Sequence, residues 1–212
     1  MSLRKILALA AASFTLAFAA HAQQSQQYAT LSPPQPTEGN GKIEVIEFFW
    51  YGCPHCYHLE PQVNAWLKTI PSDVVFKRVH ALPSPAWEPH ARIFYTLQAM
   101  GLVEKLHQKV FDAIHKENVN LSNPKVRDEW LARNGVDPAK YAEMEKSFSV
   151  ATNVQRARQM TQQYKVDGVP RLFVDGKWYT APEFAGENTF VAVNELVAKA
   201  RKESGPSVAA KK

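Results

Sequence analysis

The sequence predicts an α/β fold interrupted by an all-helical block, and three observations carry that expectation. Residues Ile43 to Trp50 form a nearly continuous apolar run rich in β-branched and aromatic side chains, which suits a strand covered on both faces. A helical pattern and a second strand candidate at Val74–Val79 follow, so residues 43–79 read as a β-α-β unit with a right-handed crossover. From about Leu82 to Phe148 there is no convincing strand pattern, and several helix signals stand in its place.

At 212 residues the chain fits one domain with an insertion, or two small domains, and 45% apolar with 21% charged residues is enough to build a core. The first residues have a different character. Arg4 and Lys5 precede an uncharged apolar run, Ile6 to Ala20, and Ala20–His21–Ala22 offers a small-residue cleavage site before the polar Gln23–Gln27 segment. This is the anatomy of a secretory signal peptide over residues 1–22. The run falls short of the roughly 20 residues that anchor a bilayer-spanning helix. Cleavage would remove Arg4 and Lys5 from the 25 basic residues, leaving 23 against 20 acidic ones, or +3. Such a balance serves solubility, and no basic patch interleaved with aromatics points to nucleic acid. Lys199, Arg201, Lys202, Lys211 and Lys212 read as a helix end and a frayed tail.

The remaining elements follow in order. Residues 23–41, rich in Gln, Pro and Gly, read as a leader and loop with a short edge strand at Tyr28–Leu31. Cys56 to about Thr69 carries Leu59, Val63, Trp66, Leu67 and Ile70 along one helical side. In the helical block, Trp87–Met100 ends at Gly101 and Leu102–Lys116 continues as a second helix. Asn123–Pro124 and Asp137–Pro138 each set a capping residue before a first-turn proline, with Gly135 as a stop between them. Phe94, Tyr95, Phe111 and Trp130 read as core of this block. A long helix from Val150 to about Lys165 comes next. Asp175–Gly176 then joins Leu172–Val174 to Trp178–Thr180 as a hairpin, and a helix over Asn188–Lys202 closes the chain.

The only two cysteines, Cys53 and Cys56, follow the central strand as Cys53–Pro54–His55–Cys56. Positions i and i+3 share a helix face, within reach of a disulfide. Cys53 stands at the helix start, near unpaired N–H groups and the positive end of the macrodipole, where a thiolate is favoured. Cys56 lies a turn deeper. Cys53 is therefore the expected nucleophile and Cys56 the resolving thiol. Pro54 brings no N–H that needs a partner, and His55 supplies positive charge or a donor beside the Cys53 sulfur. A helix end that favours the thiolate makes the reduced pair the more stable one and its disulfide reactive.

The Cys53–Pro54–His55–Cys56 motif, an apolar strand containing Glu47, an inserted helical block and a distal Gly168–Val169–Pro170 together resemble the DsbA family of exported thiol–disulfide oxidoreductases. The resemblance runs from about Tyr28 to Lys202, and that family is itself the reference case for a low-pKa, oxidising dithiol. It implies a thioredoxin fold with an inserted helical domain, divided as 23–81 and 150–212 around 82–149. It implies further that Val169–Pro170 is a cis peptide facing the disulfide, with Val169 offering backbone hydrogen bonds to an extended substrate. Glu47 corresponds to a buried acidic residue beneath the site, a proton relay for Cys56. Arg171 is then a candidate substrate contact, with a surface charge as the alternative. The implied activity is donation of the Cys53–Cys56 disulfide to newly exported proteins in the periplasm by a monomer. Reoxidation would come from a quinone-linked membrane partner of DsbB type, with no metal or organic cofactor.

Other readings stay open at this point. Cys53–Cys56 could be a structural disulfide, although so short a loop gives little entropic stabilisation. His55, His58, His80 and His90 could complete a zinc site, but His55 and His58 are poorly arranged to converge, and ordinary surface or core roles suit His80 and His90. Trp50 and Tyr51 could form an apolar rim for unfolded clients, with strand-core packing as the alternative for Trp50. A disulfide isomerase would need a dimerisation domain ahead of Ile43, and a reductase would carry Trp-Cys-Gly-Pro-Cys. A non-catalytic chaperone could use the same groove without redox chemistry.

Overall fold

The computed structural model describes residues 27–204; the expected signal peptide and the Lys211–Lys212 tail lie outside the described residues. Among the described residues thirteen strands and α-helices succeed one another: β1 (Ala29–Thr30), β2 (Ile43–Phe49), α1 (Pro54–Leu67), β3 (Val74–His80), α2 (Glu88–Ala99), α3 (Val103–His115), α4 (Pro124–Arg133), α5 (Pro138–Glu145), α6 (Phe148–Gln163), β4 (Arg171–Val174), β5 (Trp178–Thr180), α7 (Pro182–Ala185) and α8 (Thr189–Glu203). Among the described residues no strand lies between His80 and Arg171, and no helix is long and apolar enough to cross a membrane.

The five strands form one mixed sheet in the order β1-β5-β4-β2-β3, with β2 parallel to β3 and the other pairs antiparallel. Every residue of β2 is buried, as a strand covered on both faces requires. Ile43 and Val45 join Leu59, Val63 and Trp66 of α1 with Val193, Leu196 and Val197 of α8 on one face. Ile46 and Phe48 point the other way, where Phe48 meets Phe173 at 5.4 Å and Tyr164 at 5.3 Å. The last strand residue, Phe49, reaches into the helical block and packs edge-on against Phe94 of α2 at 5.1 Å. Sheet and helical block therefore share a core at the carboxyl end of β2, which is where the cysteines emerge.

The local signals act as their chemistry dictates. Asn123 Oδ1 accepts from the N–H groups of Lys125 and Val126, and Asp137 Oδ1 does the same for Ala139 and Lys140. Gly176, at φ +62°, turns the β4–β5 hairpin, and a Cβ there would collide with the Gln35 carbonyl. The edge strand shrinks to two residues pairing with β5, and α7 is a short helix that Pro182 opens. Trp50 leaves the strand and stacks on Trp87 at 4.1 Å and 12°.

Candidate active site: a dithiol at a helix start

The local fold around the cysteines follows from three residues. Gly52 allows the chain to pass the Trp50 ring; a Cβ at this position would land inside that ring. Cys53 is the N-cap of α1 in an extended conformation, and its sulfur accepts the Cys56 N–H at 3.4 Å. Pro54 occupies the first turn, where an N–H would have no partner. The helix thus begins on a sulfur where other helices use an oxygen. Gly52→Ala is expected to unseat Trp50 from Trp87 and cost about 1–3 kcal/mol of overpacking, checked by thermal unfolding and tryptophan fluorescence.

Both cysteines are thiols in the structure. A hydrogen bond from the Cys56 thiol, then the N–H groups of Cys56 and His55 and the charge of His55, bring the Cys53 pKa down to about 6 against the opposing effect of burial. Burial, then the Cys53 sulfur, then the charge of Glu47 push Cys56 well above the ordinary thiol range. The pair is polarised: one sulfur is held as an anion near neutral pH and the other as a thiol. The Cys53 S–H donates to the carbonyl of Val169 at 3.4 Å, and the Val169–Pro170 bond is cis. Pro54 and His55 are exposed beside the nucleophile, whereas Val169 is half-buried and Pro170 buried.

Beneath the sulfurs the expected buried Glu47 opens a longer polar chain, whose further members Arg78, Glu60 and His107 are not among the sequence-predicted site residues. Glu47, fully buried on β2, accepts from Arg78 Nε at 3.2 Å, its direct neighbour on β3. Arg78 Nη2 also donates to Glu60 at 3.1 Å, and the other Glu60 oxygen accepts from His107 Nε2 at 3.0 Å. Burial, then the Glu60 charge, raise Glu47 to about 8, so it carries a proton at neutral pH. Burial acts in the same direction on Glu60, but His107 and Arg78 outweigh it and hold Glu60 ionised. Glu60 follows Cys56 and precedes Val63 on one helix stripe, at i, i+4 and i+7; a carboxylate in that apolar stripe was the available signal. Arg78 and His107 had none, because they become neighbours only when β3 and α3 close over α1.

Two expectations are corrected. Arg171 is not the surface charge of the alternative reading: its guanidinium pairs with Glu183 and Asp167, lies over the Phe184 ring at 5.2 Å, and is 8% exposed. Two carboxylates and a ring neutralise and cover it, so it anchors β4. Tyr51 is no part of a rim, being fully buried, with its O–H on His107 Nδ1 at 2.8 Å. Of the histidines weighed for zinc, His55 and His58 are exposed and His80 is buried. Among the described residues no group of three or more His, Cys, Asp or Glu could hold a metal ion.

A sequence profile of the DSBA-like thioredoxin domain matches residues 73–195. A thiol:disulfide interchange protein DsbA of Bordetella parapertussis is 43% identical over 203 residues, covering 93% of this chain and 97% of the relative. The chain belongs to the DsbA family. A crystal structure of DsbA from Pseudomonas aeruginosa superposes with a TM-score of 0.80 at 39% identity, covering 84% of this chain and 94% of that one. Reduced DsbA1 from Neisseria meningitidis gives 0.75 at 29% identity, with 85% and 96% covered. The architecture is therefore the DsbA form of the thioredoxin fold with its helical insertion, and the chain is a thiol:disulfide oxidoreductase of the DsbA type.

Proposed function

We propose that this protein donates the Cys53–Cys56 disulfide to reduced exported proteins, with Cys53 as the sulfur attacked. The observation that carries the reading is the polarisation of the pair: Cys53 is held down to about 6 while Cys56 is pushed up. A client thiolate attacks Cys53 Sγ, the S–S bond breaks, and Cys56 leaves with the bonding electrons. Glu47, protonated at neutral pH, supplies the proton that Cys56 takes up. The client's second thiolate then attacks its own half of the mixed disulfide and expels Cys53 as a thiolate. The client loses two electrons and gains a disulfide; Cys53 and Cys56 end reduced.

The remaining assignments belong to the same reading. His55 stabilises the Cys53 anion, and Pro54 keeps the helix start free of a competing N–H. The Val169 carbonyl, which accepts the Cys53 S–H in the reduced thiol, has no such donor in the disulfide form and there pairs with an extended client backbone beside Pro170. The work is done by a monomer in the periplasm after signal-peptide removal, and a DsbB-type, quinone-linked membrane protein reoxidises the same thiol face. The chain divides as 23–81 and 150–212 around the insertion 82–149, a division supported by the lack of strands among the described residues from 82 to 149.

The test is the equilibrium of the dithiol against glutathione. Each unit of Cys53 depression stabilises the thiolate by about 1.4 kcal/mol, equivalent to about 30 mV toward a stronger oxidant. The expected potential is more oxidising than that of the glutathione couple; a more reducing value would make the protein a reductase.

A further inference from the structure

Arg78 cannot decide which of its two carboxylates holds a proton, because it donates to Glu47 at 3.2 Å and to Glu60 at 3.1 Å. Two buried carboxylates sharing one cation do not both ionise readily. What distinguishes them is a second donor. The remaining oxygen of Glu60 accepts from His107 Nε2 at 3.0 Å, whereas Glu47 Oε1 is buried with no hydrogen-bond partner among the described residues.

The direction of that donation is set further along the chain. Tyr51 is held at three atoms by three histidines: its N–H donates to His80 Nε2 at 3.5 Å, its carbonyl accepts from His115 Nε2 at 2.7 Å, and its O–H lies 2.8 Å from His107 Nδ1. With the phenol donating to Nδ1, the His107 proton sits on Nε2 and points at Glu60. His107 is itself buried against Phe49 and Phe111, each at 5.2 Å, on the helix α3 that the insertion contributes. The other titratable groups around this chain are Cys56 on α1, Arg78 and His80 on β3, Glu104 and His115 on α3, and Tyr141 on α5.

We propose that His107 is a positioning residue: by donating Nε2–H to Glu60 it leaves the proton shared by the two carboxylates on Glu47, the one whose charge acts on Cys56. The inference rests on the reading of Glu47 as the proton source for Cys56 and adds the group that keeps Glu47 loaded. It gives the insertion a part in the thiol chemistry without contact with either sulfur.

The experiment is a carboxyl NMR titration of the full reduced protein labelled with 13C at the glutamate side-chain carboxyl. In the wild type Glu47 is expected to titrate above Glu60. In His107→Phe, which keeps an aromatic in the Phe49–Phe111 pocket, the gap between the two midpoints is expected to narrow by at least about one pH unit or to reverse. His107→Gln, which retains an N–H donor, should restore most of it. Should His107→Phe fail to fold because Tyr51 loses its acceptor, Tyr51→Phe/His107→Phe removes that orphaned hydroxyl and takes the test over. An unchanged gap in the folded apolar variant overturns the proposal, since a packing role would lower the melting temperature without reordering the titrations. Glu47→Gln in single-turnover client oxidation examines the underlying reading separately. A pH profile unchanged by Glu47→Gln removes Glu47 as the proton source, whatever the NMR order in the His107 variants.

Discussion

Cys53→Ser is expected to abolish oxidation of a reduced client, with the loss complete rather than graded. The hydroxyl accepts the same Cys56 N–H, so α1 keeps its cap and the fold survives. What disappears is the only sulfur that the geometry offers to an incoming thiolate, for Cys56 is fully buried. Cys56→Ser should behave differently. Cys53 remains, forms a mixed disulfide when offered an activated client, and has no neighbour to release it, so the adduct accumulates on a non-reducing gel. A protein that bound clients without redox chemistry would keep its full effect on client folding in Cys53→Ser. Retained client oxidation in that variant would remove the dithiol from the mechanism.

The second large effect is on stability. The Cys53 pKa in the folded reduced protein is depressed from 9.0 to about 6. A depressed acidic group contributes stability that is present in full above its unfolded pKa and is lost as the pH falls through the folded value. The window is therefore about pH 6 to 9, with nothing left below about 5. Two of those units, between pH 6 and 8, are about 2.7 kcal/mol before allowance for solvent screening and on the order of 1–2 kcal/mol after it. Cys56, pushed upward, stays protonated in the folded protein and opposes this gain only where the unfolded thiol ionises, above about pH 8. The oxidised protein has no thiolate and gains only the chain-entropy contribution of a very short loop. The reduced form is thus expected to melt above the oxidised form at pH 8, with the margin shrinking steadily toward pH 5. Paired thermal scans across that range check it; a margin independent of pH would disconnect the thiolate from stability.

Much of this site was legible in the chain because it is local. Strand, turn, capping position and the first-turn proline are contiguous from Glu47 to Cys56, and each residue type has a short-range reason to be there. The caps at Asn123 and Asp137 and the Asp175–Gly176 turn were legible for the same reason. Val169–Pro170 was placed by family resemblance, since no spacing rule brings residue 169 to residue 53. The charge chain was not legible. Arg78 and His107 are ordinary surface residue types that join Glu60 and Tyr51 in a network only when β3 and α3 close over α1. The burial of Arg171 was not legible either: its partners Asp167 and Glu183 lie on either side of β4, and pairwise neutralisation leaves no periodic trace.

The most direct measurement is the pH dependence of Cys53 alkylation in the reduced protein, followed in parallel by thiolate absorbance. The helix start described above predicts a single midpoint near 6, with Cys56 silent through the neutral range. A midpoint at the 8.5 or so of an ordinary peptide thiol would contradict it, because the disulfide would then hold no advantage as a donor.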